Sequence, residues 1–315
     1  MEKYSIVIPV YKSSESLKIL ASQILQLEKE KKAAFEIIFV NDSPFWEETV
    51  EALREVSDAH PNCRVLTLRK NQGQHIALLA GISHATGKYV ITMDDDLQHP
   101  VSEIPKLIAA MDKDQQLDAL FALPPYKQKK HKLWRNLSSY MMNRIDTLFL
   151  KKPKGLMKSA FRIMTLDVAQ TIVKNRNAMP SVSSLIIHTT HNIGNIEVSH
   201  AERGFGKSNY SLTKMIHLAL NNMIHYSSLP LKWVGFIGGL GFGFSLVYIL
   251  ITIIRKLFWG IHFPGYASTV TLISFFGGLN LLALGIIGEY LIRIIKEQQK
   301  PDLENLIRDK RNIES

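Results

Sequence analysis

Cysteine is almost missing from this chain: Cys63 is the only one in 315 residues. An intramolecular disulfide is therefore excluded, and the composition fits a reducing compartment. No G-x-G-x-x-G follows the first hydrophobic run and there is no Walker lysine loop, which argues against a dinucleotide-dependent dehydrogenase and a P-loop enzyme. There is no recognition helix, zinc spacing or aromatic RNA-binding motif, so nucleic acid is not an expected partner. The histidines have no metal-ligand spacing; His188 and His191, three apart, read as structural. No Ser-His-Asp or Cys-His arrangement for nucleophilic catalysis is present. The start, Met1-Glu2-Lys3-Tyr4, runs directly into a strand-like segment without a leader pattern, so the first domain is expected to stay where it is made.

Charge is absent from two long stretches. Trp233 to Ile254 is uncharged and bracketed by Lys232 and Arg255. At about 1.5 Å per helical residue it is long enough for a hydrocarbon core of about 30 Å. Phe263 to Gly288 is a second uncharged stretch. The short loop between them, with Trp259, His262, Pro264 and Tyr266, predicts a transmembrane hairpin that leaves both termini on one side. Lys214, Lys232, Arg293, Lys296, Lys300, Arg308, Lys310 and Arg311 put that side in the cytoplasm, against the opposing weight of Arg255 and Lys256. Gly235, Gly239 and Gly243 fall on one helical face, where small residues permit close helix contact. Leu212 to Leu229 mixes apolar positions with Lys214, His217 and His225 in the manner of an amphipathic interface helix. The expected organisation is a catalytic domain over 1–210, a juxtamembrane helix over 211–230, a transmembrane hairpin over 231–295 and a basic cytoplasmic tail over 296–315.

Formal net charge is +10. Such a surplus points to an anionic membrane surface or phosphorylated ligands. The first two-thirds of the chain alternates strand and helix: Ser5–Tyr11, then a helix from Ser13; Phe35–Val40, then a helix from Glu47; Arg64–Leu68, then a helix from Gln74; Lys88–Met93. That alternation predicts an α/β domain with a mostly parallel sheet. Ligands of such sheets bind beyond the carboxyl ends of the strands. Those ends carry Pro9-Val10-Tyr11, Asn41-Asp42 and Asp94-Asp95-Asp96.

Three adjacent carboxylates repel one another unless a cation or hydrogen bonds compensate. Residues two apart on a strand point the same way, so Asp94 and Asp96 are expected to share a hard cation, magnesium or manganese, with Gln98 adding an oxygen.

Met93-Asp-Asp-Asp-Leu-Gln-His-Pro100 resembles the aspartate-x-aspartate motif of glycosyltransferase family two, in its polyprenyl-phosphate branch. Ile6-Val-Ile-Pro-Val-Tyr11, Arg69-Lys-Asn-Gln-Gly-Gln74 with Ala80-Gly81 and Ala85-Thr-Gly87, and His200-Ala-Glu-Arg-Gly-Phe-Gly-Lys-Ser-Asn-Tyr-Ser211 resemble other segments of that family in the same order. The two spans and Gly288-Glu-Tyr290 are similar to its bacterial undecaprenyl-phosphate members. The resemblance implies a GT-A (Rossmann-like) domain, a nucleotide-sugar donor (a UDP-sugar favoured), Mg2+ or Mn2+, inversion at the anomeric carbon and a homo-oligomer, commonly a tetramer. It implies that Asp94, Asp96 and Gln98 hold the metal and that Arg203 meets the donor phosphates. Pro9, Val10, Tyr11, Asp42, Gly73 and Asp95 would line the nucleotide, and Lys207 and Ser208 would lie in the phosphate loop. Two departures, Asn41-Asp42-Ser43-Pro44 after the second strand and Lys158-Ser159-Ala160 before Phe161-Arg162, bear on donor identity more than on reaction type.

A phosphate acceptor is already anionic at neutral pH and needs positioning rather than a strong base. Arg135, Arg144 and Arg162 are the candidates for its head group, in a lysine-rich region from Lys127 to Lys158. The expected activity is transfer of a hexose-type sugar to polyprenyl phosphate by a multi-pass inner-membrane enzyme with its catalytic domain in the cytoplasm. The alternatives are a transferase with a non-lipid acceptor, although the Q-x-x-R-W segment of processive synthases is absent, and a non-catalytic nucleotide-sugar-binding regulator of a membrane partner.

Overall fold

The computed structural model describes residues 2–31, 33–125, 155–176, 180–199, 265–298, 300 and 302–312, with helical residues scattered between 236 and 258. The chain forms two compact units, residues 1–209 with 300–315, and residues 210–299.

The first unit is built on an eight-stranded sheet. Its strands are β1 (Lys3–Val10), β2 (Ala34–Asn41), β3 (Cys63–Leu68), β4 (Tyr89–Thr92), β5 (Ala119–Leu123), β6 (Arg162–Thr165), β7 (Ile193–Glu197) and β8 (Ile307–Arg311). Their order is β7-β5-β6-β4-β1-β2-β3-β8. The centre is parallel: β1 pairs with β2 and β4, and β2 pairs with β3. The crossovers are α1 (Glu15–Lys31), α2 (Glu47–Ala59) and α3 (Gln74–Ile82). After β4 come α4 (Ile104–Lys113), α5 (Leu166–Lys174) and α6 (Val182–Thr189). These match the alternation read from the sequence. The run of buried residues along β1 and β2 is what a strand covered on both faces requires.

One face of the sheet, with Ile6, Ile8, Val10, Ile37 and Phe39, packs on Leu17, Leu20 and Ile24 of α1 and Leu53 and Val56 of α2. The other face receives α3 at close range. A Cβ added to Gly81 would lie 2.4 Å from Val7 Cγ1 and 2.8 Å from Val40 Cγ2. At the amino edge a buried carboxylate ties the first strands together. Glu36 accepts from Thr86 N (2.6 Å), pairs with Lys3 (2.7 Å) and Arg64 (3.0 Å), and also takes the Ser5 hydroxyl. Burial pushes the Glu36 carboxyl up, but the bonds from Lys3, Ser5 and Thr86 outweigh it and hold the group below its usual range.

Three features differ from the sequence reading. Strands β5 and β6 add an antiparallel piece beside β4. Tyr266, expected in the interspan loop, opens a helix. The basic tail expected over 296–315 is not simply a tail: Leu303–Leu306 forms a short helix and β8 pairs antiparallel with β3. Ile307 and Leu303 are buried there, and alternating charges along Arg308-Asp309-Lys310-Arg311 leave an edge strand without a hydrophobic run, so its strand character is easily missed.

The second unit contains α7 (Tyr266–Gln298). Phe275–Gln298 is the one helix among the described residues long and apolar enough to cross a membrane, with a mean hydropathy of 1.7 and none of that window buried. Phe275, Leu281, Leu284 and Ile295 are all exposed. Helical residues on the amino side, including Phe236, Leu240, Phe244 and Leu257, are equally exposed. Of the glycines, Gly241 makes the close approach, its added Cβ falling 3.1 Å from Phe276, whereas Gly243 meets nothing. Gly235 and Gly239, and the interface helix expected over 212–229, lie outside the described residues.

The tight seat of Gly81 generates a test. Gly81→Ala must push apart Val7 and Val40, and overpacking of this kind costs about 1–3 kcal/mol. Thermal unfolding of the purified protein is expected to show a lower Tm for G81A than for the parent, with an unchanged Tm contradicting the packing described.

Candidate functional site

The carboxyl edge of the parallel strands gathers the polar groups. Asp42 follows β2, is 3% exposed, and holds the loop ahead of α3: its Oδ1 accepts from Gln72 N (2.6 Å) and its Oδ2 from Gly73 N (2.9 Å). Gly73 sits at φ +88°, a conformation that costs a residue with a side chain appreciable strain. Burial raises the Asp42 carboxyl, partly offset by these two bonds. Pro9 and Val10 are buried in β1, and the Val10 carbonyl accepts from Asp42 N at 2.9 Å. Of that triplet, only Tyr11 reaches the surface. Beside it Lys12 lies 5.4 Å from the Tyr11 ring and 4.7 Å from the Trp46 ring, and Phe45 and Trp46 are exposed. The sequence reading had not singled out this cluster of a cation among aromatics; the signal was Phe45-Trp46, two large aromatics immediately after a strand-end turn.

The aspartate run lies beyond β4 rather than on it. The strand stops at Thr92 and Leu97 takes φ +62°, so strand alternation does not align Asp94 with Asp96 as expected. Each carboxylate instead has its own surroundings. Asp94 Oδ1 accepts from Gln74 Nε2 at 2.6 Å. Asp96 Oδ1 accepts from Gln98 N at 3.2 Å, which fixes the turn. Asp95 turns inward; burial raises its carboxyl, against bonds from the Ser13 hydroxyl and Tyr11 backbone, and Oδ2 is buried without a partner.

Behind Asp94 stands Arg162. Expected to meet an acceptor, it is instead 1% exposed, with Nε donating to Thr92 Oγ1 (2.8 Å) and Nη1 to Ser183 Oγ (2.6 Å). Burial draws its pKa down to about 10, and the negative charge of Asp94 pulls the other way. The buried guanidinium thus acts through its field, with Asp94 as the counter-charge. Lys158 donates to Ser184 Oγ at 3.3 Å in the same neighbourhood. Gln74, Ser13, Thr92 and Ser183 were not legible as site residues, because neutral polar side chains carry no sequence signal of their own. Arg203, Arg135, Arg144, Lys207 and Ser208 lie outside the described residues.

Among the described residues no group of three or more His, Cys, Asp or Glu side chains converges to hold a metal ion. The donor set at Asp94 and Asp96 consists of oxygen, which suits a hard cation. Magnesium characteristically takes one or two protein carboxylates and completes its shell with water and substrate phosphates. The residues therefore fit a divalent ion that arrives with, or is completed by, a phosphorylated ligand.

His75, at the start of α3, is pushed down to about 4 by burial and by the charges of Arg162 and Lys158, and its Nδ1 has no partner. A histidine whose folded pKa lies below its unfolded one costs stability as pH falls from about 6.5 to about 4, by up to about 3 kcal/mol. His75→Gln is expected to flatten this part of the stability–pH curve in denaturant titrations. An unchanged slope would show that His75 protonates freely in the folded protein.

Comparison with known proteins agrees with this geometry. Residues 5–172 match the family described as Glycosyl transferase family 2. The chain is 32% identical over 309 residues to an undecaprenyl-phosphate 4-deoxy-4-formamido-L-arabinose transferase of Sodalis glossinidius, covering 94% of this chain and 90% of that protein. It is 28% identical over 297 residues to an uncharacterized glycosyltransferase of Bacillus subtilis, with the same coverage. Among solved structures it is similar in fold to glucosyl-3-phosphoglycerate synthase from Mycobacterium tuberculosis in complex with Mn2+, UDP and phosphoglyceric acid, with a TM-score of 0.52, 12% identity and coverage of 71% of this chain and 76% of that one. Mannosyl-3-phosphoglycerate synthase from Rubrobacter xylanophilus also has a TM-score of 0.52 at 12% identity, covering 74% and 75%. A GT-A, Rossmann-like sheet with its acidic edge, matched over more than half its length, makes this chain a member of glycosyltransferase family 2.

Proposed function

We propose that the protein transfers a sugar from a nucleotide diphosphate donor, a UDP-sugar in the first instance, to undecaprenyl or another polyprenyl phosphate at a membrane surface. The observation that supports this most directly is a single chain carrying both an acidic strand edge and a helix, Phe275–Gln298, apolar enough to cross a membrane and exposed over its apolar part. The relatives named for undecaprenyl-phosphate sugar transfer run nearly the full length of the chain.

In this reading the base and ribose lie along Tyr11 and the loop that Asp42 holds through Gln72 and Gly73. Asp94 and Asp96 face the donor diphosphate, and a divalent ion held there supplies Lewis-acid stabilisation of the leaving diphosphate. Gln74 orients Asp94, and the positive charge of the buried Arg162 stands behind that carboxylate. Arg203, Lys207 and Ser208 add contacts to phosphate, and Arg135 and Arg144 position the acceptor head group. The acceptor phosphate attacks the anomeric carbon from the face opposite the leaving diphosphate, which inverts that centre; no side chain needs to remove a proton from an already ionised acceptor. The region from 231 to 295 is read as a two-helix membrane hairpin with the transferase domain on the cytoplasmic face, and the enzyme as a homo-oligomer.

Transfer of radiolabel from a panel of UDP-sugars into organic-extractable lipid tests the proposal. Activity is expected with one donor, to be abolished by EDTA and restored by Mg2+ or Mn2+, and to fall about a hundredfold or more in Asp96→Asn with folding retained. Transfer to a water-soluble acceptor alone, or wild-type turnover in D96N, would reject it.

A further inference from the structure

Behind the donor edge lies a cavity that the proposed transfer does not use. It is an open recess of about 460 Å3 bounded by the end of β2, helix α2, β3 and the returning strand β8. Successive residues on a strand point to opposite faces. Asp42 turns to the loop ahead of α3, whereas its neighbour Asn41 turns to the α2 face and lines this cavity. The two sites thus stand back to back across the sheet.

The lining has a definite chemistry. Arg54, Arg308 and Arg311 supply three guanidinium groups. Their carboxylate partners are few and distant: Asp58 serves both Arg54 (3.7 Å) and Arg311 (3.8 Å), and Asp309 reaches Arg311 at 3.6 Å. Arg308 lies over the Phe45 ring at 5.9 Å rather than against a carboxylate in this set. Three cations share two anions, which leaves a positive excess at the wall. The floor is apolar, formed by Val50, Leu53 and Val65. Beneath the lining Asn41 is fully buried, its Oδ1 accepting from Ser43 N (2.9 Å) and Ser43 Oγ (3.1 Å).

We propose that this cavity is a second ligand site, for a small organic anion whose apolar or ring body lies on Val50, Leu53 and Val65 and whose phosphate or carboxylate meets Arg308 and Arg311. Its volume falls within the range of small-molecule pockets, about 300–1,000 Å3. Guanidinium groups are suited to both oxyanions through paired hydrogen bonds. Because β8 forms one wall, occupancy stabilises the pairing of β8 with β3. Through Asn41 and Ser43, whose hydroxyl accepts from Lys12 N at 3.0 Å, the site also abuts the loop carrying Tyr11.

Calorimetric titration of the full-length protein in detergent with phenyl phosphate, in the presence and absence of saturating UDP, tests this. The expected result is saturable one-site binding that UDP does not displace, weakened about tenfold or more in the Arg308→Gln/Arg311→Gln variant. Sugar transfer by R308Q/R311Q is expected to be unchanged, because neither arginine belongs to the donor edge. Absence of saturable binding, displacement by UDP, or undiminished binding in the arginine variant would each overturn the proposal. Displacement by UDP would assign the anion to the donor edge and leave the transferase reading intact.

Discussion

The parallel pairing of β1 with both β2 and β4 is the constraint from which the rest of the site follows. Parallel neighbours in register end at the same edge, so Tyr11, Asp42 and Asp94 are delivered to one rim without any contact between them in sequence. That register is secured by burial on both faces: α1 and α2 cover one side, and α3 sits on the other at a distance only a glycine at 81 allows. At the far edge Glu36, bonded to Lys3, Ser5, Arg64 and Thr86, stitches β1, β2 and β3 to the turn before β4. Function and stability are separated along the strands, with ion pairing at the amino ends and ligand chemistry at the carboxyl ends.

At the rim, three adjacent carboxylates are kept apart by giving each a different environment. Asp95 is drawn inward to Ser13 and the Tyr11 backbone, Asp94 is held by Gln74 above the buried charge of Arg162, and Asp96 closes its own turn. The buried guanidinium, which donates to the hydroxyls of Thr92 and Ser183, retains a field that reaches Asp94, because low local dielectric screens it poorly. Burial raises the carboxyl of Asp95, while Asp94 and Asp96 are left at the rim. Two carboxylates alone make an incomplete shell for a divalent ion, and a donor diphosphate is the natural source of the missing oxygens.

Much of this was legible before the fold was known. Continuous apolar runs at Ser5–Tyr11 and Phe35–Val40, and the turn chemistry after each, located the parallel strands to within a residue or two, and the expected start of α2 at Glu47 agrees with the helix observed. Asp42 and Asp94 stood out because charge at a strand end is informative, and Gly73 came from the family resemblance. The supporting residues did not: Gln74, Thr92 and Ser183 are neutral and common, and only tertiary contact gives them roles. Arg162 was recognised as special for the right reason, a charge in an apolar segment, but its destination differs, since it is sequestered behind Asp94. Strand β8 was hidden because its four charged residues follow a single buried isoleucine and carry no hydrophobic alternation. Only pairing with the open edge of β3 makes that segment a strand.

The family fixes the reaction class, and the chain's own residues give it a physical basis: carboxylates at a parallel-sheet rim, a loop locked by Asp42, and an apolar helix in the same polypeptide. The account stands or falls on whether the rim carboxylates and a nucleotide diphosphate together complete a divalent-ion site. Electron paramagnetic resonance of Mn2+ added to the full-length protein, with and without UDP, reads this directly. The account predicts weak Mn2+ binding alone, much tighter binding with UDP, and loss of that gain when Asp94 and Asp96 are replaced by asparagine. Mn2+ affinity that ignores UDP, or a UDP-dependent gain that survives both replacements, would contradict it.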